Sequence, residues 1–311
     1  MFEIAKRNNI SIPYKSVEEV RAQYNFSNLG DFLNIYYQAC SVLIHEKDFH
    51  DLAYQYLKNG SAQGLKYAEI FFDPQTHLTR NIAFKTFFNG IVSGCAQGLK
   101  DFGVDSQLIM CFLRDQSEEE AIKVFNQAIE FKSQILAVGL DSNECGNPPE
   151  KFKNVFKMAK EHGFRLVAHA GEEGTAGSIS DTIEYLGVDR IDHGCSLIQD
   201  KNLVNTLAKS GMPLTLCPLS NLKLQVTPDL SNHMLKSLMD EGVMVTINSD
   251  DPAYFGGYIG DNYYEIWKAL NLSYEEILRL AKNSFNATFL SEEKKKLYLE
   301  MVNEYESKNK S

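Results

Sequence analysis

Seven short apolar runs, each ending in polar or ionisable residues, divide the chain after residue 60 into repeating units. The segments between them have the apolar spacing of helices, and two of these end at a glycine typical of a helix stop, Gly163 and Gly211. Extended runs that alternate with helices predict parallel strands joined by helical crossovers. The runs lie at residues 66–73, 106–114, 135–142, 165–172, 190–194, 213–221 and 243–251.

The polar ends of these runs are expected to meet, because the carboxyl ends of parallel strands lie on one side of a sheet. In a TIM-type barrel the active site is built there from many strands, since side chains fill the barrel interior. A doubly wound open sheet also binds ligands at strand ends, but near one switch point and with fewer strands. We therefore predict an α/β fold of the (β/α)8 TIM type, with the open sheet as the alternative.

A (β/α)8 barrel needs eight strands, and the sequence supplies seven. Residues 1–60 show helical spacing throughout, and the chain starts inside a helix-like pattern with no capping residue before it. We expect the first strand to lie upstream of Met1. No linker or low-complexity segment interrupts residues 1–311, so we predict a single barrel domain that is incomplete at its amino terminus and carries extra helices, the last beginning near Ser291.

Hydrophobic residues make up 44% of the chain and charged residues 23%, as in soluble globular proteins. The net charge of -10 repels polyanions, so we expect a small-molecule substrate and neither nucleic acid nor an anionic membrane as partner. No apolar run approaches the length of a membrane span. Six scattered cysteines without a CxxC pair indicate reduced, buried thiols and a cytoplasmic location. An oligomer is compatible with these properties, but no sequence feature specifies one.

Three strand ends carry candidate catalytic groups. His169 and Glu172 flank Ala-Gly at the end of the fourth run. A histidine at this position can ligate a metal, with the carboxylate facing the same pocket. The alternative is a hydrogen-bonded core histidine and a solvated loop glutamate. His193 follows the fifth run and could orient a water molecule, although a lone histidine is usually structural. Asp250 and Asp251 end the seventh run, where the alternative is a helix N-cap before a proline.

A catalytic zinc normally has three protein ligands and a water, and the sequence offers two convincing ligands, His169 and Asp250. The deficit in ligands parallels the deficit in strands. One missing strand that carries ligands would account for both.

Four motifs in this order, HAGE at 169–172, DHG at 192–194, CPLSNLKLQV at 217–226 and SDDP at 249–252, resemble the adenosine and adenine deaminase superfamily. The similarity covers essentially the whole chain, and the four motifs together are highly specific. The segments FFDPQTH at 71–77 and GLDSNECGNPP at 139–149 look most like the adenine deaminase branch. Adenosine deaminases tend to have a glycine-bearing segment in place of residues 142–144.

The resemblance implies a zinc-dependent hydrolysis of adenine to hypoxanthine and ammonia, a reaction of purine salvage. It implies that His169 and Asp250 ligate one zinc ion per chain, which activates water for attack on C6. Glu172 would protonate ring nitrogen N1 and pass the proton to the leaving amine, and His193 would orient the water. Asp251 would hydrogen-bond N7 of the ring.

By the same resemblance, Glu144 would contact the edge of the free base and occupy the space that a ribose needs. Adenosine deamination is therefore the nearest alternative activity.

The sequence departs from the family pattern at one point, because the zinc-binding His-x-His pair of the first strand is absent from these 311 residues. We expect that pair upstream, with the missing strand. A truncated, catalytically impaired purine-binding barrel is the alternative from another functional class. A cytidine-deaminase type of enzyme is disfavoured, because its H-x-E and P-C-x-x-C signature is absent.

Overall fold

A computed structural model of the protein describes residues 1–309. Seven parallel strands form one sheet in chain order, each hydrogen-bonded to the next. This order is the one expected when helical crossovers join sequential parallel strands. The strands are β1 (Tyr67–Phe72), β2 (Asp105–Leu113), β3 (Ile135–Asp141), β4 (Arg165–Ala170), β5 (Arg190–His193), β6 (Leu214–Leu216) and β7 (Val245–Ile247).

Helices precede the first strand, connect the strands and follow the last one. The first four are α1 (Phe2–Arg7), α2 (Val17–Ala22), α3 (Leu29–Cys40) and α4 (Glu46–Ser61). Between the strands lie α5 (Pro74–Leu78), α6 (Phe84–Phe102), α7 (Glu118–Ala128), α8 (Lys153–Glu161), α9 (Ala176–Leu186), α10 (Lys201–Ser210), α11 (Pro218–Lys223) and α12 (Leu235–Asp240). After β7 come α13 (Pro252–Phe255), α14 (Ile259–Leu270), α15 (Tyr274–Asn286) and α16 (Glu292–Asn309).

These elements confirm the predicted barrel architecture with seven strands in place of eight. In residues 1–309, β1 pairs only with β2 and β7 only with β6, so β1 and β7 are the two ends of the sheet. The helical prediction for residues 1–60 is also confirmed. Among the helices of residues 1–309, none has the length and the apolar character needed to cross a membrane.

Two predictions need correction. The run at 213–221 was expected to be one strand, but β6 ends at Leu216 and Pro218 begins α11. Proline has no amide hydrogen to give to a sheet and fits the first turn of a helix. The cysteines were expected to be buried, but Cys145 is exposed in the loop after β3.

Helices α4 and α6 pack closely because α6 presents glycines to the α4 backbone. A Cβ atom on Gly90 would lie 2.3 Å from the carbonyl oxygen of Glu46, and one on Gly94 would lie 2.5 Å from that of His50. Neither distance is compatible with a side chain, so this contact requires glycine.

Arg190 joins two strands that are not neighbours in the sheet. Its Nη1 atom lies 2.5 Å from Glu69 Oε2 on β1, and its Nε atom lies 3.4 Å from Asp192 Oδ1 on β5. Glu69 also accepts a hydrogen bond of 2.8 Å from the backbone amide of Phe289. This buried network ties the end strand β1 to the opposite wall of the barrel, and removing one partner would leave an uncompensated charge.

Asp48 joins the end of α1 to the start of α4. Its buried carboxylate accepts hydrogen bonds from the amides of Ile44 and His45 and from the side chains of Arg7 and Asn8. Burial works against the charged form, but the His45 and Ile44 amides, followed by Arg7 and Asn8, outweigh burial and lower the pKa of Asp48 to about 2. The ionised form of Asp48 therefore stabilises the fold.

We expect Asp48→Asn to lower the free energy of unfolding at pH 7 by about 2 kcal/mol, since it removes the charge that these donors bind. The folded pKa lies below the ordinary value of 3.8. The stabilisation is therefore fully present above that value and is lost as the pH falls towards 2. Urea denaturation should show the same gap between variant and wild type at pH 7 and pH 5, and about half of it at pH 3. A gap that does not shrink at pH 3 would contradict this assignment.

Candidate active site

One large cavity extends along β1, between the two ends of the sheet, and includes the carboxyl ends of the strands, where the sequence predicted the site. Its volume is about 1910 Å³. Five of the six predicted site residues line it, together with acidic and thiol side chains that the sequence did not assign. The ionisable groups from the strand ends that face the cavity are Asp73, Asp141, His169, Glu172, Asp192, His193, Cys217, Asp250 and Asp251.

His169 and Glu172 reach the cavity because the chain turns sharply after β4. His169 lies on β4, which ends at Ala170, and Gly171 follows with a φ of +68°. A Cβ atom on Gly171 would lie 2.5 Å from Ser196 Oγ, so only glycine fits this turn. Glu172 is only 7% exposed. The alternative of a solvated loop glutamate is therefore wrong.

His193 is the last residue of β5 and lies against Glu172. Its φ is +62°, in the left-handed region that few residues other than glycine occupy, and Asp250 has a φ of +52°. His193 Nδ1 lies 3.6 Å from Glu172 Oε1, and both atoms are buried without a hydrogen-bond partner. Such strain and unpaired polar atoms are typical of sites that bind a further group.

The protonation states of these side chains suit acid and base chemistry. Burial, reinforced by the charge of Asp250 and opposed by His193, raises the pKa of Glu172 to about 7. Burial, and next the neighbouring His193, lowers the pKa of His169 to about 3. Burial also opposes the charged form of His193, but the carboxylates of Glu172 and Asp250 outweigh it and raise the pKa of His193. A neutral His169 retains the lone pair that metal ligation requires.

Asp251 holds a proton more tightly than an exposed carboxyl group does. Burial, followed by the charge of Asp250, raises the pKa of Asp251 well above its ordinary value. Asp251 occupies the N-cap position of α13, with Pro252 at the first helical residue, but its side chain makes no capping hydrogen bond. Asp251 thus has the position of a helix N-cap, as the alternative interpretation predicted. Its side chain does not make the capping hydrogen bond, so capping does not explain the two adjacent aspartates.

The donor atoms needed for a metal ion converge here. One nitrogen of His193, Cys217 Sγ and one carboxylate oxygen of Asp250 all lie within 4.8 Å of one another. The ring of His169 is centred 4.8 Å from that of His193. His169 Nδ1 faces Asp192 Oδ2 at 3.6 Å, and both atoms are unpartnered, which leaves the other ring nitrogen of His169 for a ligand.

Sequence reasoning missed Cys217 and a second acidic group. Cys217 directly follows β6, so its place at a strand end was the available signal. Asp73 and Asp141, at the ends of β1 and β3, cluster with the buried thiol of Cys111. Burial raises the pKa of Asp73 to about 6, and burial together with the Asp73 charge raises that of Asp141 well above its ordinary value.

The predicted contact of Glu144 with the substrate needs correction. Glu144 does not line the cavity, and both of its carboxylate oxygens are engaged with the protein. They accept hydrogen bonds from the backbone amides of residues 171–174 and from the hydroxyl of Ser178. A carboxylate with five donors around it has little remaining capacity to bind a ring edge.

Residues 1–305 match the protein family described as adenosine deaminase. The adenine deaminase of Acinetobacter baylyi is 51% identical over 304 residues, which are 98% of this chain and 92% of that protein. The crystal structure of adenine deaminase from Arthrobacter aurescens has a TM-score of 0.96 at 43% identity and covers 98% of this chain and 94% of its own. An amidohydrolase from Burkholderia ambifaria, with bound Zn, shares the fold at a TM-score of 0.88 and 22% identity, covering 99% and 88% of the two chains. The chain therefore belongs to the adenosine deaminase family.

Proposed function

We propose that the protein catalyses the hydrolytic deamination of adenine to hypoxanthine and ammonia. The observation that carries this proposal is the convergence of His169, Glu172, His193, Asp250 and Asp251 on one cavity. The 51% identity to an adenine deaminase over almost the whole chain supports adenine as the substrate. Since all six cysteines are free, we further propose a reducing, cytoplasmic location.

We propose zinc as the metal of this site. Imidazole nitrogen, thiolate sulfur and carboxylate oxygen are the donors that zinc takes in proteins. His169 and Asp250 would hold the ion, and His193 and Cys217 each offer a further donor atom within 4.8 Å of an Asp250 carboxylate oxygen. When bound, zinc supplies Lewis-acid activation of the hydrolytic water near neutral pH.

Glu172 would act as the proton carrier. With a pKa of about 7, its carboxyl group is partly protonated at neutral pH and can donate a proton to N1 of adenine. Protonation of N1 makes C6 more electrophilic, and the resulting Glu172 carboxylate can take a proton from the attacking water and deliver it to the departing amine. The remaining hydroxyl proton returns to Glu172 as the C6 carbonyl forms and ammonia leaves. His193, 3.6 Å from Glu172, would orient the attacking water and stabilise the charge that develops on it.

The two adjacent aspartates would have different tasks. Asp250 would bind the metal as a carboxylate. Asp251, whose pKa is raised, would donate a hydrogen bond from its protonated form to N7 of the ring, which is an acceptor.

A side-chain contact in the cavity wall supports the free base over the nucleoside. The hydroxyl groups of Tyr37 and Ser142 lie 3.1 Å apart and bridge α3 to the loop after β3. Ser142 holds a φ of +71°, a conformation that glycine adopts without strain. Both side chains line the cavity, where they would restrict the room for a ribose.

We expect the purified protein, supplied with zinc, to convert adenine to hypoxanthine. Its kcat/KM for adenine should be at least about tenfold above that for adenosine, because one steric or polar conflict with the ribose commonly gives this discrimination. Loss of absorbance on deamination and release of ammonia measure both reactions. Faster turnover of adenosine would overturn the choice of substrate, and zinc-loaded protein that deaminates neither purine would overturn the proposed function.

We expect Asp250→Asn to weaken zinc binding by at least about tenfold, because a neutral amide replaces an anionic ligand. The matched control is Asp240→Asn, which changes an exposed aspartate at the end of α12 and should leave zinc affinity unchanged. Competition titration with a fluorescent zinc chelator measures the affinity of each protein. Equal zinc affinity of the wild type and Asp250→Asn would show that Asp250 is not a zinc ligand.

A further inference from the structure

The carboxylate of Glu144 is surrounded by hydrogen-bond donors from one loop and from the helix that follows it. This loop, residues 171–174, joins β4 to the start of α9 and contains Glu172. Glu144 Oε1 accepts from the Gly171 amide at 2.7 Å and from Ser178 Oγ at 2.7 Å. Glu144 Oε2 accepts from the next three amides, at 3.0, 3.2 and 3.0 Å. Four consecutive amides therefore point at one carboxylate.

Glu144 remains ionised although it is only 7% exposed. Burial works against the charge, but the amides of Gly171 and Gly174, the Ser178 hydroxyl and the positive charge of Arg114 outweigh it and lower the pKa of Glu144. Hydrogen bonds to an ionised acceptor are roughly twice as strong as those between neutral groups. Four such bonds hold the loop through its backbone.

The loop is also shaped to fit around this carboxylate. A Cβ atom on Gly174 would lie 2.3 Å from Glu144 Oε1 and 2.5 Å from Ser178 Oγ. Ser178 lies in the first turn of α9, so the same carboxylate fixes the end of the loop and the start of the helix. Hydrogen bonds therefore join Glu144, the loop that contains Glu172 and the first turn of α9.

We propose that Glu144 is a positioning residue that fixes the 171–174 loop so that the carboxyl group of Glu172 faces the reacting purine. This inference rests on the proposed deamination, in which Glu172 carries the proton. Glu144 touches the backbone of Glu172 from behind and does not line the cavity, so it acts on the reaction through Glu172. A displacement of about 1 Å in a proton carrier is enough to slow a reaction by about 100-fold.

The direct test is Glu144→Gln, which keeps the size of the side chain. Its amide nitrogen cannot accept a hydrogen bond and would face backbone donors. We expect kcat for adenine to fall by about 100-fold, with KM changed by less than about threefold, because adenine binding does not involve Glu144. Hydrogen exchange measured by mass spectrometry should show faster exchange of the 171–174 amides, whether or not zinc and substrate are present.

Two further variants separate positioning from general loss of structure. Ser178→Ala removes one of the five hydrogen bonds and should lower kcat by less than about fivefold. Gly174→Ala keeps Glu144 but places a methyl group against its carboxylate, so it should reproduce the selective loss of kcat. If Glu144→Gln does not fold, Gly174→Ala decides the question.

Unchanged amide exchange and unchanged kcat in Glu144→Gln would overturn the proposal. A rise in KM with kcat preserved would also overturn it, because that result indicates direct contact with the substrate. Failure of the proposed function is distinguishable: the wild-type protein would then show no turnover of adenine, while the exchange measurement would still report whether Glu144 holds the loop.

Discussion

The burial of several ionisable side chains in one cavity is the constraint on which the rest of the structure depends. Glu172, His169, His193 and Asp251 face the same cavity and are largely withdrawn from water. An uncompensated buried charge costs several kcal/mol, so these groups stabilise one another only in particular protonation states. Glu172 and Asp251 hold protons that exposed carboxyl groups would lose, and His169 stays neutral. The burial that destabilises the charged forms of these side chains also shifts their pKa values, and the shifted pKa values favour proton transfer.

The backbone around the cavity is arranged to hold these groups. His193 and Asp250 adopt left-handed conformations that cost about 1–3 kcal/mol each. Gly171 permits the turn after β4, and Glu144 holds the loop that follows. Buried Arg114 donates to the carbonyl oxygens of His169 and Asn147, at 2.7 and 3.1 Å, and so joins the end of β4 to the loop after β3. The fold thus tolerates destabilising backbone conformations because they give this one site its shape.

Much of this arrangement could be predicted from the sequence. Apolar runs that end in polar residues identified the seven strands, and helical spacing identified the helices before β1. The relation between parallel strands then required His169, His193 and Asp250 to converge, although they are far apart in the chain. The strand and helix predictions succeeded because the periodicity of apolar residues and the direction of the strands determine which residues share a face or an edge.

The remaining features depend on contacts that a pattern does not encode. Glu144 was predicted from the family resemblance to bind substrate, but which way a loop carboxylate turns depends on the donors that surround it. Cys217 was assigned to the core by its apolar flanks, since only the fold reveals that its thiol lies beside Asp250. The short helix beginning at Pro218 was missed because its apolar residues also fit a buried strand.

The central claim is that residues from separate strands meet around a single metal ion. Anomalous diffraction at the zinc edge from crystals of the zinc-loaded protein tests it most directly. The account predicts one peak about 2.0–2.2 Å from a ring nitrogen of His169 and from a carboxylate oxygen of Asp250, with the carboxyl group of Glu172 close enough to reach a purine bound beside the ion. A peak remote from both ligands, or zinc-loaded crystals with no ordered peak in this cavity, would contradict the account.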